Sequence, residues 1–231
     1  MRWTAFGVRA APLVTALALA ACGRAPQVPA APPRPAAFAA DIAAFEVADR
    51  RDPPAPGGVV FVGSSSIRLW PALGDDFPGV HVLQRGFGGS HLSDVVRYAP
   101  RIVLPYRPRL IVVYAGDNDL WEGKSPDSVF RDYQAFVRLV GQALPETRIA
   151  YISIKPSGSR WAIADKMRAA NAMIREYTAG NPRLSYVDVF TPMLDSSGNP
   201  REDLFVADRL HLSARGYELW RSILLPVVQG Q

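Results

Sequence analysis

The fold is decided by residues 59–70, which read Val-Val-Phe-Val-Gly-Ser-Ser-Ser-Ile-Arg-Leu-Trp. The first four residues are β-branched or aromatic, and an unbroken apolar run is typical of a central strand buried on both faces of a parallel sheet. Gly63 and three serines end this run, and an amphipathic segment from Ile67 can continue as a helix. Such a turn lies at the carboxyl edge of an α/β sheet, where ligands bind. A serine in this turn is therefore a candidate nucleophile, although Gly-Ser-Ser by itself is common in loops.

Segments with strand composition alternate with segments of helical periodicity along the rest of the chain. Strands are predicted at residues 59–63, 80–84, 110–114, 148–154 and 184–189, and helices at 40–50, 66–71, 90–97, 126–143, 162–178 and 213–225. This alternation predicts βαβ units with right-handed crossovers, and hence a parallel sheet covered on both faces. The predicted fold class is α/β, a three-layer, doubly wound domain with five strands in flavodoxin-like order.

The N-terminal residues have the composition of an export signal. Arg2 and Arg9 flank a short basic region, and the apolar run 10–21 is too short to span a bilayer. The run ends in Leu-Ala-Ala-Cys-Gly, which resembles a bacterial lipobox with cleavage before Cys22 and acylation of its sulfur. Residues 1–21 are therefore predicted to be a lipoprotein signal peptide. The alternative is an ordinary signal peptide that ends near a free cysteine.

A spacer is predicted between this cysteine and the folded domain. Residues 22–37 consist of Cys22 followed by a segment rich in Pro and Ala, which cannot bury a core and is typical of an extended linker. Lipid chains on Cys22 would attach the domain, residues 38–231, to a membrane without spanning it. Gly23, rather than Asp, after the cysteine favours the outer membrane. The expected location is the bacterial cell envelope, facing the periplasm.

Composition limits the classes of partner. The 231 residues are 48% hydrophobic and 20% charged, as in a globular protein. The formal net charge falls from +5 to +3 when Arg2 and Arg9 are removed with the signal. The remaining basic residues are dispersed, so no nucleic-acid partner is expected. We expect a monomer. Because Cys22 is the only cysteine, no intrachain disulfide can form.

Three further stretches follow predicted strands or precede the last helix. Residues 84–90 contain three glycines that let the backbone approach a ligand closely, although a flexible turn is the alternative. Residues 114–120 contain Asn118, whose amide can donate to an oxyanion or can cap a turn. Asp208 and His211 are three residues apart, so the carboxylate can hold one imidazole nitrogen while the other faces a serine. A surface histidine at a helix start is the alternative for that pair.

Taken in order, the four stretches resemble blocks I, II, III and V of the SGNH/GDSL hydrolase superfamily. The resemblance covers Gly63 to His211 and implies a three-layer fold with the nucleophile in the first block. Ser65 takes the nucleophile's place, and Ser64 replaces the usual acid. The oxyanion glycine falls on Gly89, with Gln84 replacing the block's usual Asn. The remaining positions of the pattern fall on Asn118 for the side-chain donor and on Asp208 and His211 for the acid–base pair.

The resemblance implies acyl transfer through a covalent serine intermediate. Ser65, Asp208 and His211 would be catalytic, and the backbone N–H groups of Ser65 and Gly89 with the Asn118 amide would hold the oxyanion. No metal and no cofactor are expected. The expected substrate is a small-molecule or glycan carboxylic ester. Alternatives are a carbohydrate O-deacetylase or O-acetyltransferase of cell-envelope glycans and, in another class, a non-catalytic module that binds glycan or lipid.

Two other segments are candidates for the rim of the site. Lys155, Ser157 and Arg160 follow the fourth predicted strand and can reach the cleft, although loop structure is the more common role for such residues. Trp121 comes directly after the third block, so it is the tryptophan best placed to touch a substrate.

Overall fold

The computed structural model describes residue 1 and residues 37–230. The predicted signal peptide, Cys22 and the linker up to residue 36 lie outside the described residues. Within the described part, no helix is long and apolar enough to cross a membrane.

The domain is built on a five-stranded parallel sheet. The strands are β1 (Val59–Gly63), β2 (Val82–Gly86), β3 (Leu110–Tyr114), β4 (Arg148–Ile152) and β5 (Leu184–Val187). Their order is β2-β1-β3-β4-β5, so the predicted doubly wound α/β fold is confirmed. The central strand β1 ends level with both neighbours, because Gly63 pairs with Gly86 of β2 and with Tyr114 of β3.

Helices cover both faces of this sheet. The described helices are α1 (Ala39–Arg51), α2 (Ser65–Arg68), α3 (Leu92–Ile102), α4 (Asp117–Trp121), α5 (Pro126–Ala143), α6 (Ala164–Ala179) and α7 (Ala214–Gln229). Short 3-10 turns lie at Leu104–Tyr106, Gly158–Ile163, Thr191–Met193 and Glu202–Leu204. They and the loops at the carboxyl ends of the strands carry several of the predicted site residues.

Alternating side chains of the strands form two separate hydrophobic cores. Val60 and Val62 of β1 pack with residues of α3, α5 and α6 on one face, while Val59 and Phe61 pack with residues of α7 on the other. Burial on both faces explains why β1 and β3 have no charged residue and, apart from the hydroxyl of Tyr114, no polar side chain, and it fixes their register.

The predicted bounds are reproduced for β1, β3 and α5, whereas β2 begins and ends two residues later than predicted. Val80 is part of a turn, in which its N–H donates to the carbonyl of Phe77 at 3.1 Å. His81 is the last residue before the strand, and its carbonyl accepts from Val59 at 2.8 Å. Pairing with β1 therefore decides where β2 runs, and it brings Arg85 and Gly86 into the strand.

Candidate active site

The turn after β1 carries the three serines and depends on a glycine. Gly63 has φ +144°, and a Cβ at this position would lie 1.8 Å from the carbonyl oxygen of Tyr114. Only glycine permits this close approach of β1 and β3. Ser64 then donates its backbone N–H to the same Tyr114 oxygen at 3.0 Å, and Ser65 becomes the first residue of α2. The N–H of a first helical residue has no acceptor within its own helix.

Two long-range contacts fix this turn. The side-chain amide of Gln84 donates to the carbonyl of Ile67 at 2.6 Å and to that of Trp70 at 3.0 Å. The buried hydroxyl of Tyr217 on α7 donates to the carbonyl of Ser66 at 3.1 Å. Glutamine at position 84 therefore ties β2 to the segment that carries Ser65.

The loop before α7 presents a carboxylate and an imidazole together. One oxygen of Asp208, Oδ1, accepts the backbone N–H groups of Leu210 at 2.8 Å and His211 at 2.9 Å. The other oxygen, Oδ2, lies 2.6 Å from Nδ1 of His211. Arg209 between them has φ +56°, the left-handed conformation that this tight turn requires. The loop thus fixes the imidazole by both its backbone and its ring.

The structure brings the two stretches together across 146 residues of sequence. Nε2 of His211 lies 3.1 Å from Oγ of Ser65, so Ser65, His211 and Asp208 form one hydrogen-bonded chain. The slight burial of Asp208 opposes its ionisation, but the hydrogen bonds from the backbone and ring of His211 lower the pKa of Asp208 to about 2. The carboxylate is therefore charged at neutral pH and can hold a proton on Nδ1, which leaves Nε2 as the acceptor facing the serine.

The loop after β2, which carries Gly89, and the loop after β3, which carries Asn118, are hydrogen-bonded to each other. Nδ2 of Asn118 donates to the carbonyl of Ser90 at 3.0 Å, and a primary amide has a second hydrogen to offer. The carboxylate of Asp119 accepts the backbone N–H of Leu92 at 3.1 and 3.2 Å. Gly89, which precedes Ser90, is exposed and has φ +80°. The loops after β2 and β3 are therefore held in one arrangement.

For the segment after β4, the structure agrees with the more common of the two roles considered, loop structure, rather than with contact at the cleft rim. Lys155 and Ser157 are each only 1% exposed, and Arg160 is 9% exposed. Lys155 instead turns inward to Asp117 and Tyr114, because a long aliphatic side chain can bury its stem and deliver the ammonium group to a buried carboxylate. Trp121 does lie at the surface, with 51% of the residue exposed.

Sequence reasoning missed the buried ion pairs of Asp117 with Lys155 and Arg160; Asp117 begins helix α4 and is 4% exposed. A carboxylate buried beside two cations leaves no mark in the sequence, because Lys155 and Arg160 are about 40 residues away along the chain. Within the described residues, no group of three or more His, Cys, Asp or Glu side chains is arranged to hold a metal ion.

The doubly wound fold, with a serine, a histidine and an aspartate linked at the carboxyl edge of its sheet, has the features of the SGNH class of hydrolases. The chain belongs to the GDSL-like lipase/acylhydrolase family, whose model matches residues 59–219. This match spans all four stretches, from the Ser65 turn to His211. Family membership places the chain among hydrolases that cleave ester bonds.

The chain is also similar to proteins of known name and of known structure. The chain is 31% identical over 168 residues to platelet-activating factor acetylhydrolase IB subunit alpha1 from Bos taurus and from Homo sapiens, which covers 69% of this chain and 69% and 70% of those proteins. A GDSL-like lipase from Bacteroides thetaiotaomicron has a similar structure, with a TM-score of 0.72 at 20% identity over 83% of this chain and 98% of that one. The structural likeness shows the fold.

Proposed function

We propose that the protein is a serine esterase that cleaves carboxylic esters through an acyl-enzyme on Ser65. The observation that supports this most directly is the hydrogen-bonded chain from Ser65 through His211 to Asp208. Nucleophile, base and orienting carboxylate are the three groups that such chemistry needs, and here they lie within hydrogen-bond reach in that order.

In the first half of the reaction, Oγ of Ser65 attacks the ester carbonyl carbon while Nε2 of His211 accepts the hydroxyl proton. The tetrahedral intermediate collapses when the carbon–oxygen bond to the alcohol breaks, and His211 returns the proton to the departing oxygen. Asp208 remains ionised and stabilises the imidazolium. A water molecule, deprotonated by His211, then attacks the acyl carbon, and the proton passes back to Oγ as the carboxylic acid leaves.

The oxyanion is held in this proposal by three donors. They are the backbone N–H groups of Ser65 and Gly89 and the second Nδ2 hydrogen of Asn118. Ser65 is the first residue of helix α2, and the side-chain amide of Asn118 is held by its hydrogen bond to the carbonyl of Ser90. Donors that are fixed before the charge develops stabilise it without reorganisation, and each one is worth about 10²–10³ in rate.

The names of the relatives support a substrate ester with a short acyl group. Because the chain is 31% identical to enzymes named acetylhydrolases, we infer a preference for acetyl esters. Purified protein should hydrolyse p-nitrophenyl acetate with a kcat/KM higher than for the longer esters of a series up to palmitate. A maximum at the long-chain end would instead favour a lipase, and the same series measured on Ser65→Ala gives the background rate.

A carbohydrate O-deacetylase or O-acetyltransferase is the second candidate. The observation that favours it is Trp121, which exposes 51% of its surface only three residues after Asn118. An exposed indole is a flat apolar surface on which a sugar ring can pack. Release of acetate from acetylated xylan or acetylated peptidoglycan, compared with p-nitrophenyl acetate, distinguishes the deacetylase. Transfer to an added glycan indicates the transferase, and a folded protein that turns over no ester supports a non-catalytic binding module.

We further propose that the protein is exported and anchored by lipid on Cys22 in the bacterial envelope, in the outer membrane facing the periplasm. The support is the lipobox-like sequence at residues 19–23 and the Pro/Ala-rich spacer after it. Labelled palmitate fed to expressing cells should enter the protein and be lost in Cys22→Ser. Label that persists in this variant would exclude acylation at this cysteine, and a Ser65→Ala control should keep the label.

A further inference from the structure

A buried charged cluster next to Asn118 has no part in the proton transfers proposed above. It consists of Asp117, Lys155 and Arg160, which are 4%, 1% and 9% exposed. Nζ of Lys155 lies 3.3 Å from Oδ2 of Asp117 and 3.1 Å from the hydroxyl of Tyr114. Nη1 of Arg160 lies 3.2 Å from the same Oδ2 atom. Two cations therefore meet at one oxygen of one carboxylate.

The other oxygen of this carboxylate is bound to the proposed oxyanion loop. Oδ1 of Asp117 accepts the backbone N–H of Asn118 at 3.0 Å. The carboxylate is therefore a bridge, with the two cations on one side and the backbone of Asn118 on the other. Burial of Asp117 opposes its ionisation, but Lys155 and Arg160 outweigh this effect and lower the pKa of Asp117.

The segment that supplies the two cations is itself anchored. Asn171 of α6 accepts the N–H of Ile154 at 2.8 Å and donates to its carbonyl at 2.9 Å, directly before Lys155. At the other end, the guanidinium carbon of Arg160 lies 5.7 Å from the ring centroid of Trp121. Helix α4 is therefore held by this segment at its first residue, Asp117, and at its last, Trp121.

Direct contact with a substrate does not account for the buried lysine. At 1% exposure, its ammonium group is closed off from a molecule bound at the protein surface. Three charges taken out of water are costly to a fold, and a well-packed apolar set could often replace them without loss of stability. The arrangement is therefore better explained by what it holds in place.

We propose that Asp117, Lys155 and Arg160 form a brace that positions Asn118 for the oxyanion. The brace rests on the proposed esterase function and adds three positioning residues to it. Lys155 and Arg160 fix the Asp117 carboxylate, the carboxylate fixes the backbone of Asn118, and the side-chain amide then points one hydrogen at Ser90 and the other at the developing charge.

The test is a double-mutant cycle between Lys155→Met and Asn118→Ala. Methionine keeps the length of the stem and removes the ammonium group. Because misplacement of a catalytic group by about 1 Å can cost about 10²-fold, we expect Lys155→Met to lower kcat by about 10-fold to 100-fold. KM should change by no more than about twofold, since only the transition state carries the charge. In the Asn118→Ala background, the same substitution should lower kcat by no more than about twofold.

A matched control is Arg85→Met, which removes another buried cation. The Arg85 guanidinium pairs with Asp49 of α1 and with the hydroxyl of Tyr106, and the variant should lose thermal stability without this loss of kcat. Circular dichroism establishes folding. Should Lys155→Met fail to fold, Arg160→Met replaces it in the same cycle, with the same expectations.

Two results would overturn the brace. One is an unchanged kcat in a folded Lys155→Met, and the other is an equal loss in both backgrounds, which would mean that Lys155 acts without Asn118. A wild-type protein that turns over no ester refutes the esterase proposal before any variant is made. The two failures are therefore distinguishable.

Discussion

Ser65→Ala is expected to lower kcat for ester hydrolysis by about 10⁶, the size of the loss when a serine protease loses its nucleophile. Oγ of Ser65 is the hydroxyl that lies 3.1 Å from Nε2 of His211. Without it, no covalent intermediate can form and only uncatalysed attack by water remains. The measurement is kcat with the best ester of the acyl series, together with labelling by a fluorophosphonate probe, which should disappear.

The flanking serines are matched controls. Ser64 and Ser66 are 0% and 1% exposed, and within the described residues neither hydroxyl has a hydrogen-bond partner. Ser64→Ala and Ser66→Ala should therefore retain both turnover and labelling. Full labelling of Ser65→Ala, with loss in one of the other two variants, would move the nucleophile to that neighbouring serine.

Asp208→Asn is expected to lower kcat by about 10⁴, the size of the loss when the carboxylate behind a catalytic histidine becomes an amide. The amide oxygen of Asn can still accept the backbone N–H groups of Leu210 and His211, so the turn survives. Its NH2 group then faces Nδ1 of His211 and favours the tautomer with the proton on Nε2. That nitrogen can no longer accept the proton of Ser65.

The pH dependence of the loss in kcat follows from the wild-type carboxylate of Asp208, whose pKa is lowered to about 2 by its hydrogen bonds. Because this value lies well below neutral pH, the wild-type carboxylate is fully ionised from about pH 5 upward. Between about pH 5 and about pH 9 its charge is constant, and the neutral amide does not titrate. The loss in Asp208→Asn should therefore persist across this range in a profile of kcat against pH.

Asp195→Asn is the control for this substitution. Asp195 is also an exposed loop carboxylate, and its Oδ1 accepts the backbone N–H groups of Ser197 at 2.8 Å and Asn199 at 2.9 Å. Asp195 therefore stabilises a turn in the way Asp208 does, but the turn contains no histidine. Asp195→Asn should leave kcat unchanged. An equal loss in both variants, or a loss below about tenfold in Asp208→Asn, would remove Asp208 from the proposed mechanism.

Local sequence was sufficient to predict the bounds of an element where the pattern of its apolar residues specifies that element. The bounds of β1 and β3 follow from their unbroken apolar runs, and those of α5 follow from its helical periodicity. Local sequence was insufficient where pairing with a neighbouring strand decides where an element begins and ends. Strand β2 has three residues that are only partly buried, and its pairing with β1 moves it two residues towards Gly86.

The sequence also could not predict the direction in which the side chains after β4 point. The stretch after β4 contains a lysine and an arginine, which are usually solvated, and the sequence left both a role in loop structure and a position at the cleft rim open for them. Burial of Lys155 depends on the carboxylate of Asp117, the first residue of helix α4, which follows the neighbouring strand β3. The energy of a buried charge is set by such partners, and the partners are set by packing.

The sequence by itself determined the succession of strands and helices along the chain, because periodicity and residue type are local properties. Its four ordered motifs indicated the family and the candidate site residues. Tertiary structure alone decided the distances between them. Ser65 and His211 are 146 residues apart in sequence and 3.1 Å apart in space, because the parallel strands end at one edge of the sheet. It also decided that Lys155 points away from the solvent and towards Asp117, where the low dielectric makes an ion pair strong and an unpaired charge costly.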